Sequence, residues 1–183
     1  KQRLYAVVAL LLFLTVVILF YNRYSFTGSQ SSQPLTVTDY KLNTYVTVSI
    51  YDSNDTTLLN ECMALCDKYE LIFSRTNPES ELYKLNHGLL PQSADGYSAI
   101  SDELFEVIEI GKKYSEMSGD TFCIAMEPLT SLWNFTDGEK NVPADEQITS
   151  VLPILNSNDI LLHAPNKIAF TNKGMGIDLG AVA

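Results

Sequence analysis

The stretch with the most concentrated chemistry is Gly174-Met175-Gly176-Ile177-Asp178-Leu179-Gly180-Ala181-Val182-Ala183, with three glycines, one carboxylate and no other charge. Glycine has no Cβ, so it lets a backbone approach a ligand closely. Asp178, set between Ile177 and Leu179, must be paired or must face a ligand or a cation, because an isolated buried charge is too costly. A second polar cluster, Ser74-Arg75-Thr76-Asn77, reads either as a ligand loop or as an ordinary loop carrying a surface arginine. Cys62 and Cys66 stand four apart, which suits a metal or redox pair and, more simply, two small core residues on one helix face. With Cys123 the count is three, which does not suggest a disulfide framework. His87 and His163 have no Cys or second His at ligand spacing, so both read as structural. Gly174-x-Gly176 is not a dinucleotide fingerprint, because the spacing to Gly180 is wrong.

The elements that must position these residues follow from periodicity. Val46, Val48 and Ile50 alternate within Tyr45 to Tyr51, the pattern of a half-buried strand. A long amphipathic helix is predicted from Thr56 to Phe73, with Leu58, Leu59, Cys62, Leu65, Cys66, Tyr69 and Phe73 on its apolar face. Pro78 breaks the helical run, and Ser80 or Asn77 caps the short helix that follows. Gly88 to Ile100 reads as loop. Ser101 caps another helix with Leu104, Phe105, Ile108 and Tyr114 as its buried stripe, and Ser118-Gly119 ends it. Val142 to Leu152 forms a short helix stopped by Pro153. Ile160 to Ala164 and Ile168 to Thr171 form a hairpin across Pro165-Asn166-Lys167. Helices and strands alternate without a regular βαβ repeat, so the fold class is α+β.

The N-terminus is of another kind. Leu4 to Tyr21 is apolar apart from Thr15 and two tyrosines, just long enough to span a bilayer. Lys1 and Arg3 precede it, which places the N-terminus in the cytoplasm. Residues 1–24 therefore read as a transmembrane signal anchor, with a cleaved signal peptide as the alternative. Residues 25–37 read as a polar linker, and residues 38–183 as one domain, held extracytoplasmic at the cell membrane by a single pass. Of 12 Lys and Arg, three lie in that N-terminal segment; the remaining nine face 22 Asp and Glu, a balance of −13. Such a surface argues against nucleic acid as a partner. It also means that an anionic ligand needs backbone N–H groups or a metal ion to hold its phosphates.

Five stretches, in order, resemble the ApbE family of FAD:protein FMN transferases. They are Leu42-Asn43-Thr44, where the family commonly has Met-Gly-Thr, then Phe73-Ser74-Arg75-Thr76-Asn77-Pro78-Glu79-Ser80-Glu81-Leu82 through Leu85-Asn86, and then Pro128-Leu129-Thr130-Ser131-Leu132-Trp133-Asn134-Phe135. Val142-Pro143 and Ile177-Asp178-Leu179-Gly180-Ala181-Val182-Ala183 complete the series. The resemblance implies an ApbE-like (T-fold-like) flavin transferase domain, represented by its N-terminal part. It implies a Mg²⁺-dependent enzyme that cleaves FAD and attaches FMN through a phosphoester to a Thr or Ser of a target protein. The expected acceptor is a subunit of an Rnf-type or Na⁺-pumping quinone reductase complex. Flavin contacts are implied at Leu42, Thr76, Thr121, Phe122, Cys123 and Asp178, and a metal ligand at Ala181 through its backbone carbonyl, an acceptable hard-oxygen donor. Two positions depart from the family pattern: Cys123 stands where Asp is usual, and Glu127 where Gly or Ala is usual. The family's His-containing motif and its Asp/Thr metal motif are expected beyond residue 183, so no catalytic base is assigned and the segment itself is expected to be inactive. An extracytoplasmic FAD-binding protein without transferase activity, and an FAD pyrophosphatase, are the alternative functions.

Overall fold

Two tight structural signals, a two-residue hairpin and a run of capped helices, organise the chain. The computed structural model describes residues 13–20, 33–135, 141–180 and 182. Residues 13–20 are helical (α1) with exposed apolar side chains. Among the described residues no helix is long and apolar enough to cross a membrane. Most of the expected anchor (1–24), most of the expected linker and Ala181 lie outside the described residues.

β1 (Leu35–Lys41) and β2 (Thr44–Ile50) pair antiparallel from Leu35↔Ile50 to Lys41↔Thr44. Their turn residues, Leu42 and Asn43, both have positive φ, 51° and 57°. That is the geometry of a hairpin turn whose twist matches the strands it joins. β1 corrects the expectation that the polar linker runs to residue 37: Leu35, Thr36 and Val37 already belong to the sheet. Leu42 and Asn43 therefore turn the hairpin, and Thr44 opens its second strand.

α2 (Thr56–Phe73) has the expected bounds, and its Asp55 cap accepts from the Thr57 N–H at 2.8 Å. Its buried residues are Leu59 and Met63. Leu58, Leu65 and Tyr69, expected on the buried face, are exposed. Cys62 and Cys66 are half-buried and unbonded.

α3 (Glu81–Asn86) and α4 (Asp102–Met117) carry serine caps at Ser80 and Ser101. α4 buries Leu104, Ile108, Gly111 and Ser115, while Tyr114 is exposed, a correction to its predicted stripe. Gly111 lets Ile124 press on the helix: a Cβ there would lie 2.8 Å from Ile124 Cγ2. α5 (Glu127–Thr130), α6 (Asp145–Val151) and the 3₁₀ turns η1 (Leu152–Ile154) and η2 (Ser157–Asp159) follow. Pro153 does not end the helical path but turns it into η1.

β4 (Ile160–His163) and β5 (Lys167–Phe170) form the expected hairpin, and β3 (Ser98–Ala99), within the segment read as loop, adds to β5. The sheet order is β3-β5-β4, all antiparallel, which with the helices makes an α+β fold. The core joins Leu82, Leu85, Ile100, Leu104, Ile108, Ile124, Ile160 and Ile168 to Met175, Ile177 and Leu179. The Gly-rich stretch is thus packed into the core.

Candidate functional site

Asp178 is the hub. Its neighbours Ile177 and Leu179 point into the core, so its own side chain points away from it. The Asp178 backbone N–H donates to the Ile124 carbonyl at 2.9 Å. Its Oδ2 accepts from the Thr130 hydroxyl at 2.9 Å and lies 3.3 Å from Arg75 Nε. Its Oδ1 accepts from the Gly180 N–H at 2.9 Å. The two charged side chains are only 17% (Asp178) and 23% (Arg75) exposed, so each needs the other. Both carboxylate oxygens are engaged within the protein.

A second clamp holds the same loop. The Asn86 side-chain amide donates to the Ile177 carbonyl at 2.9 Å, and its oxygen accepts from the Ile177 N–H at 2.8 Å. One side chain thereby satisfies both backbone polar groups of a core residue. Arg75 is placed by the loop after α2. Ser74 Oγ accepts from Asn77 N–H at 3.1 Å, Asn77 Oδ1 accepts from Glu79 N–H at 3.0 Å, and the buried Ser80 hydroxyl donates to the Ser74 carbonyl. This polar cluster closes on itself and turns Arg75 and Thr76 outward.

They open onto a cleft of about 310 Å³ lined by Arg75, Thr76, Tyr83, His87, Glu127, Ser131 and Asn134. Glu127 Oε1 accepts from the Ser131 hydroxyl at 2.5 Å. Its side chain lies directly over Gly176, where a Cβ would come within 2.6 Å of Glu127 Oε2. A Cβ at Gly176 would have to displace the Glu127 carboxylate.

Of the residues expected to contact flavin, the fold brings Thr76 to this cleft and Asp178 to the arginine that borders it. Leu42 lies at the hairpin turn, its N–H donating to Glu70 at 3.2 Å. Thr121, Phe122 and Cys123 follow α4 and do not line the cleft. The Phe122 N–H donates to Ser118 Oγ at 3.0 Å, and Cys123 faces the Leu155 carbonyl at 3.9 Å. Burial pushes the Cys123 thiol above its ordinary pKa, with nearby Asp120 adding to the shift. Tyr83, His87, Asn86 and Thr130 were not singled out by spacing. Asn86 and Thr130 are legible only within the stretches that carry the family resemblance, and Tyr83 and His87 only through their i, i+4 placement at the end of α3.

A family model described as the ApbE family matches residues 42–183. The chain belongs to the ApbE family. It is 27% identical over 134 residues to a protein named FAD:protein FMN transferase from Klebsiella pneumoniae (strain 342), covering 72% of this chain and 40% of that protein. A protein of the same name from Treponema pallidum (strain Nichols) is 25% identical over 131 residues, covering 68% and 35%. The chain thus spans well under half the length of these curated ApbE relatives. The solved ApbE protein of Thermotoga maritima superposes with a TM-score of 0.69 at 23% identity, over 81% of this chain and 48% of that one. The apo flavinyl transferase ApbE of Pseudomonas stutzeri does so with a TM-score of 0.66 at 20% identity, over 82% and 50%. These superpositions give the ApbE fold.

The ApbE resemblance also implies Mg²⁺, and the described residues do not fit it by themselves. Among them no three His, Cys, Asp or Glu cluster. Asp178, the carboxylate of the same loop, is already taken by Arg75, Thr130 and Gly180.

Proposed function

We propose that the protein to which this chain belongs is an FAD:protein FMN transferase. The observation that carries the reading is the alignment with two relatives of that name over most of the segment, Asp178 loop included in the family match. In the proposed reaction an acceptor Thr or Ser oxygen attacks the FMN-side phosphorus of FAD. The anhydride bond breaks, AMP leaves with the electron pair, and the hydroxyl proton is lost to a base outside the described residues. The described residues serve binding. Arg75 offers a partly buried guanidinium, Thr76 and Ser131 offer hydroxyls, and Asp178 is held in one orientation by three partners. A requirement for Mg²⁺ and an acceptor subunit of an Rnf-type or Na⁺-pumping quinone reductase complex are part of the proposal, supported by the family resemblance. So is tethering of an extracytoplasmic domain by the apolar run Leu4 to Tyr21.

The test is incubation of the full-length protein with FAD and an acceptor subunit, with and without Mg²⁺. An FMN-sized mass gain on the acceptor, abolished by chelator, is expected. No mass gain would reject the transferase. A second reading, FAD binding without transfer, is favoured by Glu127, whose carboxylate narrows the cleft over Gly176. It predicts FAD binding with no mass gain, and no release of FMN and AMP.

A further inference from the structure

We propose that Cys62 and Cys66 form a two-thiolate binding site for a soft monovalent cation, Cu(I), on α2. The site is separate from the cleft, none of whose lining residues belongs to α2.

Helix geometry decides between the two chemistries that a cysteine pair of this spacing allows. α2 runs unbroken from Thr56 to Phe73, so Cys62 and Cys66 stand one turn apart on the same face. Residues so placed have Cβ atoms about 5–6 Å apart. A disulfide needs about 3.5–4.5 Å between its Cβ atoms, and both thiols are free. Closing that gap would require the helix interior to move. A single metal ion between the sulfurs fits without such movement, since two metal–thiolate bonds of about 2.3 Å each set the sulfurs about 4.6 Å apart. The helix thus spaces the pair before any ion arrives, and only side-chain rotation is lost on binding.

The surroundings choose the ion. Leu58, four residues before Cys62, Leu65, three after it, and Tyr69, three after Cys66, are neighbours of the pair on the helix surface. The next residue in the same i, i+4 row is Glu70, which accepts the Leu42 N–H at 3.2 Å, and Asp67 pairs with Lys41 at 2.6 Å. Among the described residues no three His, Cys, Asp or Glu gather, so they do not supply the four-ligand shell of a structural Zn²⁺ site. Two thiolates alone suit a soft ion that accepts linear coordination, and among the metals that thiolates select, that ion is Cu(I). Both cysteines are partly exposed, which gives the ion a way in.

Binding exchanges protons for metal. Each S–H bond breaks and a copper–sulfur bond forms in its place; two protons pass to water. No electron is transferred, and the complex of Cu⁺ with two thiolates carries one negative charge.

The experiment titrates Cu(I) into the reduced full-length protein under nitrogen, in competition with a chromogenic Cu(I) chelator, with circular dichroism confirming that each variant is folded. One Cu(I) per chain is expected, with two sulfur neighbours by copper-edge X-ray absorption. Losing a group that merely supports a ligand costs about 10–100-fold in metal affinity, so Cys62→Ser and Cys66→Ser are each expected to weaken Cu(I) by more than about a hundredfold. Cys123→Ser is expected to leave the affinity unchanged. A double variant, Ala64→Cys with Cys66→Ser, keeps the number of thiols but moves one across the helix, and is expected to lose the site. Unchanged affinity in either single serine variant, full binding by the double variant, or one copper shared by two chains would overturn the site. Displacement of the copper by an equal concentration of Zn²⁺ would overturn the choice of ion. A Cys62–Cys66 disulfide formed by diamide with helicity intact would overturn the spacing argument.

Discussion

The two ends of the domain solve the same problem differently. Around α4, β3–β5 and the Gly-rich stretch, apolar side chains are fully enclosed; Leu104 and Ile108 have 0% exposure. In the β1–β2 hairpin and α2, side chains of the same kind stay open, with Leu65 51% and Tyr69 37% exposed. β1 and β2 pair only with each other among the described residues, so each leaves one edge without a neighbour there. The contrast teaches that amphipathic periodicity reports a preference for burial, not the surface that provides it. The candidate site belongs to the enclosed end, where Asp178 and Arg75 are braced by packed elements.

The largest expected effect breaks or sustains that contrast directly. Ile108→Ala, which opens a cavity in the packed core, should lower unfolding free energy by about 2–5 kcal/mol. Leu65→Ala should change it by about 0.5 kcal/mol or less. Urea denaturation measures both, and equal losses would mean that α2 is as enclosed as α4. Next comes Asn86→Ala, which strips both partners from the Ile177 peptide and should cost about 1–3 kcal/mol. A loss confined to ligand affinity would assign Asn86 to recognition rather than to loop support. Gly111→Ala is a smaller test. Helix propensity alone favours alanine by about 1 kcal/mol, but overlap with Ile124 should reverse the sign. A more stable variant would show that the packing around α4 yields easily.

The smallest effect is chemical. The Cys123 thiol has a raised pKa, mainly through burial, so less of it is thiolate at a given pH than in an unstructured peptide. Its alkylation by iodoacetamide at pH 8 should be slower than in the denatured chain and should speed up only at higher pH. For the same reason its contribution to stability is present below the unfolded thiol pKa and is lost as pH rises through the folded one. A rate equal to that of the unfolded chain would remove Cys123 from the enclosed region.

Much of this was legible because it is local. Asp55, Ser80 and Ser101 are capping residues in front of apolar periodicity, and the helices they begin are where they should be. The β4–β5 hairpin followed from two short apolar runs around Pro165-Asn166. β1 was obscured because its alternation in Leu35-Thr36-Val37-Thr38 adjoins a Ser/Gln-rich stretch, and composition hid the period. Met63 replaced Leu65 and Tyr69 on the buried side of α2, since periodicity gives a stripe but not its centre. The Arg75–Asp178 pair joins residues 103 positions apart (178 less 75) through tertiary packing alone, which no spacing rule reaches. The departure at Glu127 was visible as a residue type; its placement over Gly176 was not.

Asn86 has a further consequence. By engaging both the carbonyl and the N–H of Ile177, its side chain imitates the edge of a neighbouring strand. The Ile177 amide hydrogen is therefore released only when α3 and the loop part from each other. Its rate of exchange with deuterium is a clock set by a helix 91 residues away.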